Sequence, residues 1–272
     1  MNAHLPLSRL ANARAGPWIV GAIALCAAAA GAADEGTEPR FTIDQLDHLW
    51  SERASPDAVE RAIAIGTKAF AAHPSSYELA WRLALLYWRK GDLATDRAPR
   101  RELYASARRY AATAVALDPR RVEGHCYYAL TTGDYGGTLG VISALLEGIA
   151  PTFEREITRA YEIDRDFDHG SPMLALGRYY FAVPWPKRDL DRSRRYLEEL
   201  KQRHPDALLG RLYLAETDHA LGDDAAARQE IEYILGHDAA PSRMVEEGNL
   251  KTDAGQRLRE WFGRAAAPLG NS

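Results

Sequence analysis

YAATAVALDPRRV, residues 110–122, closes one amphipathic run with Asp-Pro and opens the next. The same outline returns in AIGTKAFAAHPSS (64–76), ITRAYEIDRDF (157–167) and YLEELKQRHPDAL (196–208). Each is the end of a helix, then a break, then a new apolar period. Proline is common just past a helix end because it cannot continue the helix. Within these segments the small or apolar residues keep one spacing. Ala62, Gly66, Ala69 and Pro74 are matched by Ala107, Ala111, Ala114 and Pro119, and by Ser193, Leu197, Leu200 and Pro205. Preceding runs also match: Leu83-Ala84 with Tyr87, Leu176-Gly177 with Tyr180, and Leu214-Ala215. A period near 34 residues built from two antiparallel helices is the signature of a tetratricopeptide (TPR) array. The expected fold is therefore all-α, a solenoid of about four helical hairpins. Gly91 and Gly222 are expected to turn each first helix into its second, where a left-handed residue is needed.

Two units are stretched, by residues 94–103 and by residues 135–152 (YGGTLGVISALLEGIAPT). The second insert carries Leu139, Ile142, Leu145, Leu146 and Ile149 at helical spacing. It is expected to pack on the solenoid, with a lid over a binding surface as the alternative. The loop VPWPKRD (183–189) is expected to rest Trp185 on the body. Residues 249–264 read as a last helix whose Leu250, Leu258, Trp261 and Phe262 cap the stack, as a solenoid end requires.

Composition narrows the function classes. The 272 residues are 46% hydrophobic and 26% charged, with a formal net charge of −4. No basic face dominates, so a nucleic-acid partner is not expected. Residues 1–17 hold Arg9 and Arg14 and no acid. An apolar run, WIVGAIALCAAAA (18–30), and the small residues of AGAA follow. This is the layout of a cleavable signal peptide spanning residues 1–33, with cleavage after Ala32 or Ala33. The run is shorter than a membrane span requires. The expected product is a periplasmic helical domain over 34–272 with a charge of −6. Cys26, preceded by Leu25, makes a poor lipoprotein site, and its removal leaves Cys126 without a disulfide partner.

Catalytic and metal motifs are missing from this sequence. It holds no H-E-x-x-H, G-x-S-x-G, Walker A or G-x-G-x-x-G. Asp164-Arg165-Asp166-Phe167-Asp168 starts like a calcium loop. The loop then requires Gly and Glu where His169 and Ala175 stand. His125 and Cys126 are adjacent and point apart on a helix, so they make no thiol–imidazole pair. The expectation is a binding protein, neither an enzyme nor a cofactor carrier.

Three segments carry a family resemblance: AYEIDRDFDHGSPMLALGRYYFAVP (160–184), RSRRYLEELKQRHPDALLGRLYLAE (192–216) and NLKTDAGQRLREWF (249–262). Together with the YGG before the second insert, they resemble the T component of TRAP transporters, a periplasmic TPR-type protein. That resemblance implies a periplasmic solute-binding protein as partner, a role in uptake of small organic ligands, and homo-oligomerisation. The wider alternative is a TPR scaffold for another envelope complex.

In TPR arrays the concave face comes from fixed positions of the first helices. Here those are Trp81, Leu85 and Trp88; Cys126 and Leu130; Leu174, Arg178 and Phe181; and Leu212, Glu216 and His219. Such a groove is apolar and aromatic with one guanidinium, which suits an apolar carboxylate. Alternatively Arg178 pairs with Glu216 and the aromatics fill the interior.

Overall fold

A computed structural model describes residues 40–184, 186–240 and 243–263. The stretch read as a signal peptide (1–33), Cys26 and Trp185 lie outside the described residues, and so does the end of the tail beyond Gly263. Every described regular element is helical: α1 (Arg40–Ser51), α2 (Pro56–Ala72), α3 (Tyr77–Leu93), α4 (Arg97–Leu117), α5 (Val122–Gly137), α6 (Val141–Leu146), α7 (Ile149–Ile163), α8 (Phe167–Ala182), α9 (Leu190–Arg203), α10 (Leu208–Leu221), α11 (Asp224–Gly236), α12 (Met244–Glu247) and α13 (Leu250–Phe262). The fold is a TPR-like solenoid.

Local chemistry sets the helix ends. Ser76 accepts the Leu79 N–H at 3.3 Å, Asp189 that of Arg192 at 2.9 Å and Asp223 that of Ala226 at 3.2 Å. Each satisfies a donor that the first turn leaves unpaired. Gly222 closes α10 at φ 83°, in the left-handed region expected of it.

Gly91 does not do the same. It sits inside α3, where a Cβ would come within 2.4 Å of the Tyr104 ring. Its smallness lets α4 approach α3. The insert at 94–103 forms no separate element either; it lengthens α4 to 21 residues, with Pro99 in the first turn, where its missing N–H is harmless.

Consecutive helices pack antiparallel into hairpins, α1–α2, α3–α4, α5–α7, α8–α9 and α10–α11, so five hairpins replace the four expected. The added one is α1–α2, whose second helix already carries the Ala62, Gly66 and Ala69 set and whose first helix, α1, has no matching run in the sequence. The small-residue positions are the seam: Ala62, Ala107, Ala111, Ala114 and Ser193 are fully buried, and Leu197 and Leu200 nearly so. The first helices α1, α3, α5, α8 and α10 also touch one another in sequence, and α13 joins them at the far end. Neighbouring second helices make no comparable contact, so the stack curves toward the first helices and presents them on its inner face.

The second insert corrects an expectation. Leu139 and Ile149 are buried at its ends, but Ile142, Leu145 and Leu146 of α6 stand in solvent, as does Val141. Helical spacing put them on one face; among the described residues no element covers that face. The capping tail behaves as expected. Leu250 and Ala254 are buried, and Leu258 and Trp261 pack against the same core.

Candidate functional site

The inner face encloses a cavity of about 330 Å³. Leu85 and Trp88 of α3, Leu130 of α5, and Leu174 and Arg178 of α8 line it, all from the predicted register. Tyr127 and Tyr213, each one position past that register, line it too. A helical turn is 3.6 residues, so the inner-facing strip drifts by about one residue along a helix.

Six predicted positions are placed elsewhere. Trp81 stacks on Tyr127 with centroids 5.9 Å apart, backing the wall. Cys126 is fully buried in the α5–α7–α8 core, where burial pushes its thiol well up, so it faces no ligand. Phe181 lies under the Arg178 guanidinium at 5.0 Å. Leu212 is buried against the capping layer. His219 is stacked under Trp261 of α13 at 4.3 Å. Glu216 accepts from Arg178 Nη1 at 2.5 Å and from Arg257 Nη2 at 3.0 Å. The fourth repeat therefore has its inner face covered by α13.

Arg178 is both paired and available. Besides the Glu216 contact, its guanidinium lies over the Tyr213 ring at 4.4 Å. Its Nε, at a residue only 6% exposed, has no hydrogen-bond partner. A buried unpaired donor of this kind costs about 1–3 kcal/mol, which an anionic ligand would offset. Arg243 also lines the cavity with a buried, unpartnered Nε.

Four carboxylates also line the cavity, Asp92, Asp134, Asp168 and Glu246, and the first two are the deepest. Trp88 Nε1 donates to Asp134 Oδ2 at 2.6 Å, and the Tyr104 hydroxyl donates to Asp92 Oδ1 at 2.7 Å. Burial, and then the charge of Asp92, pushes Asp134 up to about 8. Burial likewise lifts Asp92 to about 6, against the pull of Tyr104, Arg89 and Arg100. A buried acid in the small-residue helix TTGDYGG is the one sequence signal that could have flagged Asp134.

The mouth has features that repeat spacing does not reveal. Asp168 and His169, at φ 46° and 55°, and Gly170 at φ 82° form three consecutive left-handed residues just before Pro172. For non-glycine residues this backbone costs about 1–3 kcal/mol each. Gly170 is required there, since a Cβ would also meet Leu200 at 2.4 Å. Across from it, Arg53 of the α1–α2 turn grips Glu246 of α12 by two bonds of 2.8 and 3.1 Å. Residues 193 positions apart thus meet over the cavity.

The motifs weighed for chemistry are structurally occupied. Asp166 binds Arg203 and His204, and Asp164 accepts the Asp166 N–H, so these acids point into separate contacts. His125 Nδ1 meets Glu156 Oε2 at 2.7 Å, and its Nε2 meets the Pro119 carbonyl at 2.9 Å. Its ring is turned away from Cys126, toward α7. Among the described residues no group of three or more His, Cys, Asp or Glu is placed to hold a metal ion.

Among solved structures, one similar to this chain is itself a TPR protein. TTC0263, a thermophilic TPR protein of Thermus thermophilus, is 16% identical, covering 80% of this chain and 98% of its own, with a TM-score of 0.59. The MamA protein is 14% identical, covering 78% of this chain and 93% of its own, at a TM-score of 0.48. No curated protein matches this chain significantly. A family model does match, across residues 42–188, which is more than half of the 272 and runs from α1 through the loop after α8. The chain belongs to the family described as regulator of microtubule dynamics protein 1-3.

Proposed function

We propose that this protein is an exported binding and adaptor protein that holds a small, largely apolar organic acid in its inner cavity and presents it to a partner. The observation that carries this reading is the cavity itself. Trp50, Leu85, Trp88, Leu130 and Leu174 give it apolar walls, and among its charged lining residues Arg178 and Arg243 each keep a buried Nε with no partner. A volume near 330 Å³ suits a small organic molecule, and a few placed polar groups in an apolar pocket are what fix a ligand's orientation. A guanidinium fork matches a carboxylate.

The finer assignment is an accessory role beside a TRAP-type periplasmic solute-binding protein, supported by the sequence segments at 160–184, 192–216 and 249–262. A second reading, a scaffold for a protein assembly, draws on the matched family, whose description names regulators of microtubule dynamics.

Calorimetric titration of medium-chain carboxylic acids tests the first reading. Arg178→Lys keeps a cation beside Glu216 but removes the fork, and is expected to weaken binding about tenfold. Equal affinity in both proteins would sink the carboxylate site. A pull-down from envelope extract separates the partner readings: a solute-binding protein among the captured chains supports transport, and a filament or structural complex supports the scaffold.

A further inference from the structure

Large aliphatic side chains exposed singly are normal on a protein surface; a cluster is not. On α6, Val141, Ile142, Leu145 and Leu146 are 65, 65, 78 and 67% exposed. Their spacing places all four on one side of the helix, within an arc of about 140°. Leu139 and Ile149, buried at either end, pin the segment to the body, while Gly140 and the left-handed Gly148 let it stand off. None of its residues lines the inner cavity, so it is no lid over that site.

The foot of this knob is basic. Arg97 donates to the Thr138 carbonyl at 2.8 and 3.0 Å. The Arg101 and Arg108 guanidiniums lie 5.9 and 5.4 Å from the Tyr135 ring centre. Arg97 and Arg101 are solvent-exposed, and Arg108 shares Glu147 at 3.5 Å. Three Arg thus stand at the foot of α6 against Glu147, in a chain whose net charge is −4.

We infer that α6 docks this protein onto an anionic lipid surface. The four aliphatic side chains enter the headgroup–acyl boundary, and Arg97, Arg101 and Arg108 meet the lipid phosphates. The shape and charge favour this occupant. The knob is convex and less than two turns long, so it offers no groove to a rigid partner, whereas a bilayer deforms around it. An apolar face with guanidiniums at its base is the interfacial pattern, and anionic lipid attracts it within a Debye length. A patch this small binds reversibly. Docking of this kind is independent of any ligand in the cavity.

Flotation of the full chain with phosphatidylcholine vesicles, with and without about 30% phosphatidylglycerol, tests it. The triple variant I142S/L145S/L146S, altered at exposed sites, should melt like the parent yet partition onto the anionic vesicles about tenfold less. R97Q/R101Q should lose the preference for phosphatidylglycerol and its salt sensitivity. The apolar run at 18–30 can also hold the chain on vesicles, so a local readout accompanies flotation. L145W should show tryptophan quenching by bromine-labelled acyl chains beyond that of the parent. If the triple variant floats like the parent and L145W shows no added quenching, the inference fails. It fails equally if the triple variant converts an oligomer to a monomer while vesicle binding is unchanged, for the patch would then be a contact between copies.

Discussion

The inner faces of the third and fourth repeats start from the same register and finish in opposite states. In α8, Leu174 and Arg178 line an open cavity. In α10, Leu212, Glu216 and His219 hold the equivalent places, and α13 covers them. Nothing in the two helices themselves explains this. What differs is the next layer: α8 is followed by another hairpin, whereas α10–α11 is the last among the described residues, so its inner face is covered by α13. A position in a repeat thus sets the direction a side chain points, and the neighbour decides whether that direction is a site or a core.

The largest expected effect breaks the scaffold that both repeats share. Leu176 is fully buried at the α8 seam. Leu176→Asp places a carboxylate there and should cost on the order of 3 kcal/mol or more, by analogy with other unpaired buried charges. Chemical denaturation should show the loss; an unchanged midpoint would put α8 in the wrong register.

Next comes the contact that joins the two repeats. Glu216→Ala removes the shared acceptor of Arg178 and Arg257, and breaking a buried pair of this kind costs roughly 3–5 kcal/mol. Hydrogen exchange should accelerate in α13 first. If α8 loosens and α13 does not, the terminal helix is held by Trp261 and Leu250 rather than by charge.

A smaller effect separates the cavity's acidic lining from the covered end. Asp134 titrates higher in the folded chain than its ordinary 3.8, because burial and Asp92 disfavour its charge. Folding therefore takes up a proton, and the stabilisation is complete below about 4 and is lost as pH rises through about 8. Asp134→Asn should flatten the fall in melting temperature between pH 5 and 8. At pH 8 it should melt a few degrees above the parent, for a gain of about 1 kcal/mol. His125, raised chiefly by its Glu156 bond, also loses stabilisation as pH rises, so some slope should survive in the variant.

The smallest change addresses the mouth. Arg53–Glu246 is only partly buried, so Glu246→Ala should cost less than about 1 kcal/mol. Its signature is kinetic: a bound ligand should leave faster with little change in melting temperature. Identical dissociation rates would show that α12 does not restrain the cavity.

The sequence alone determined the repeat. Helix periodicity, Pro just past α2, α4 and α9, and the small residues at Ala62, Ala107, Ala111, Ala114 and Ser193 are local or recur at fixed spacing. The physics behind them acts within a hairpin. The same logic placed Leu85, Trp88, Leu130, Leu174 and Arg178 on the inner face, where they line the cavity, because a helix face follows from its period. The tertiary structure decided everything that depends on distant neighbours. Cys126 and Leu212 share the predicted face but are sealed by adjoining elements. Gly91 reads as a turn and instead makes room for Tyr104. The apolar period of α6 is genuine and faces water, because period specifies which residues stand together and says nothing of what lies opposite them. Arg53 and Glu246 meet only because the whole stack curves, so their bond is set by the accumulated packing angles of every hairpin between them.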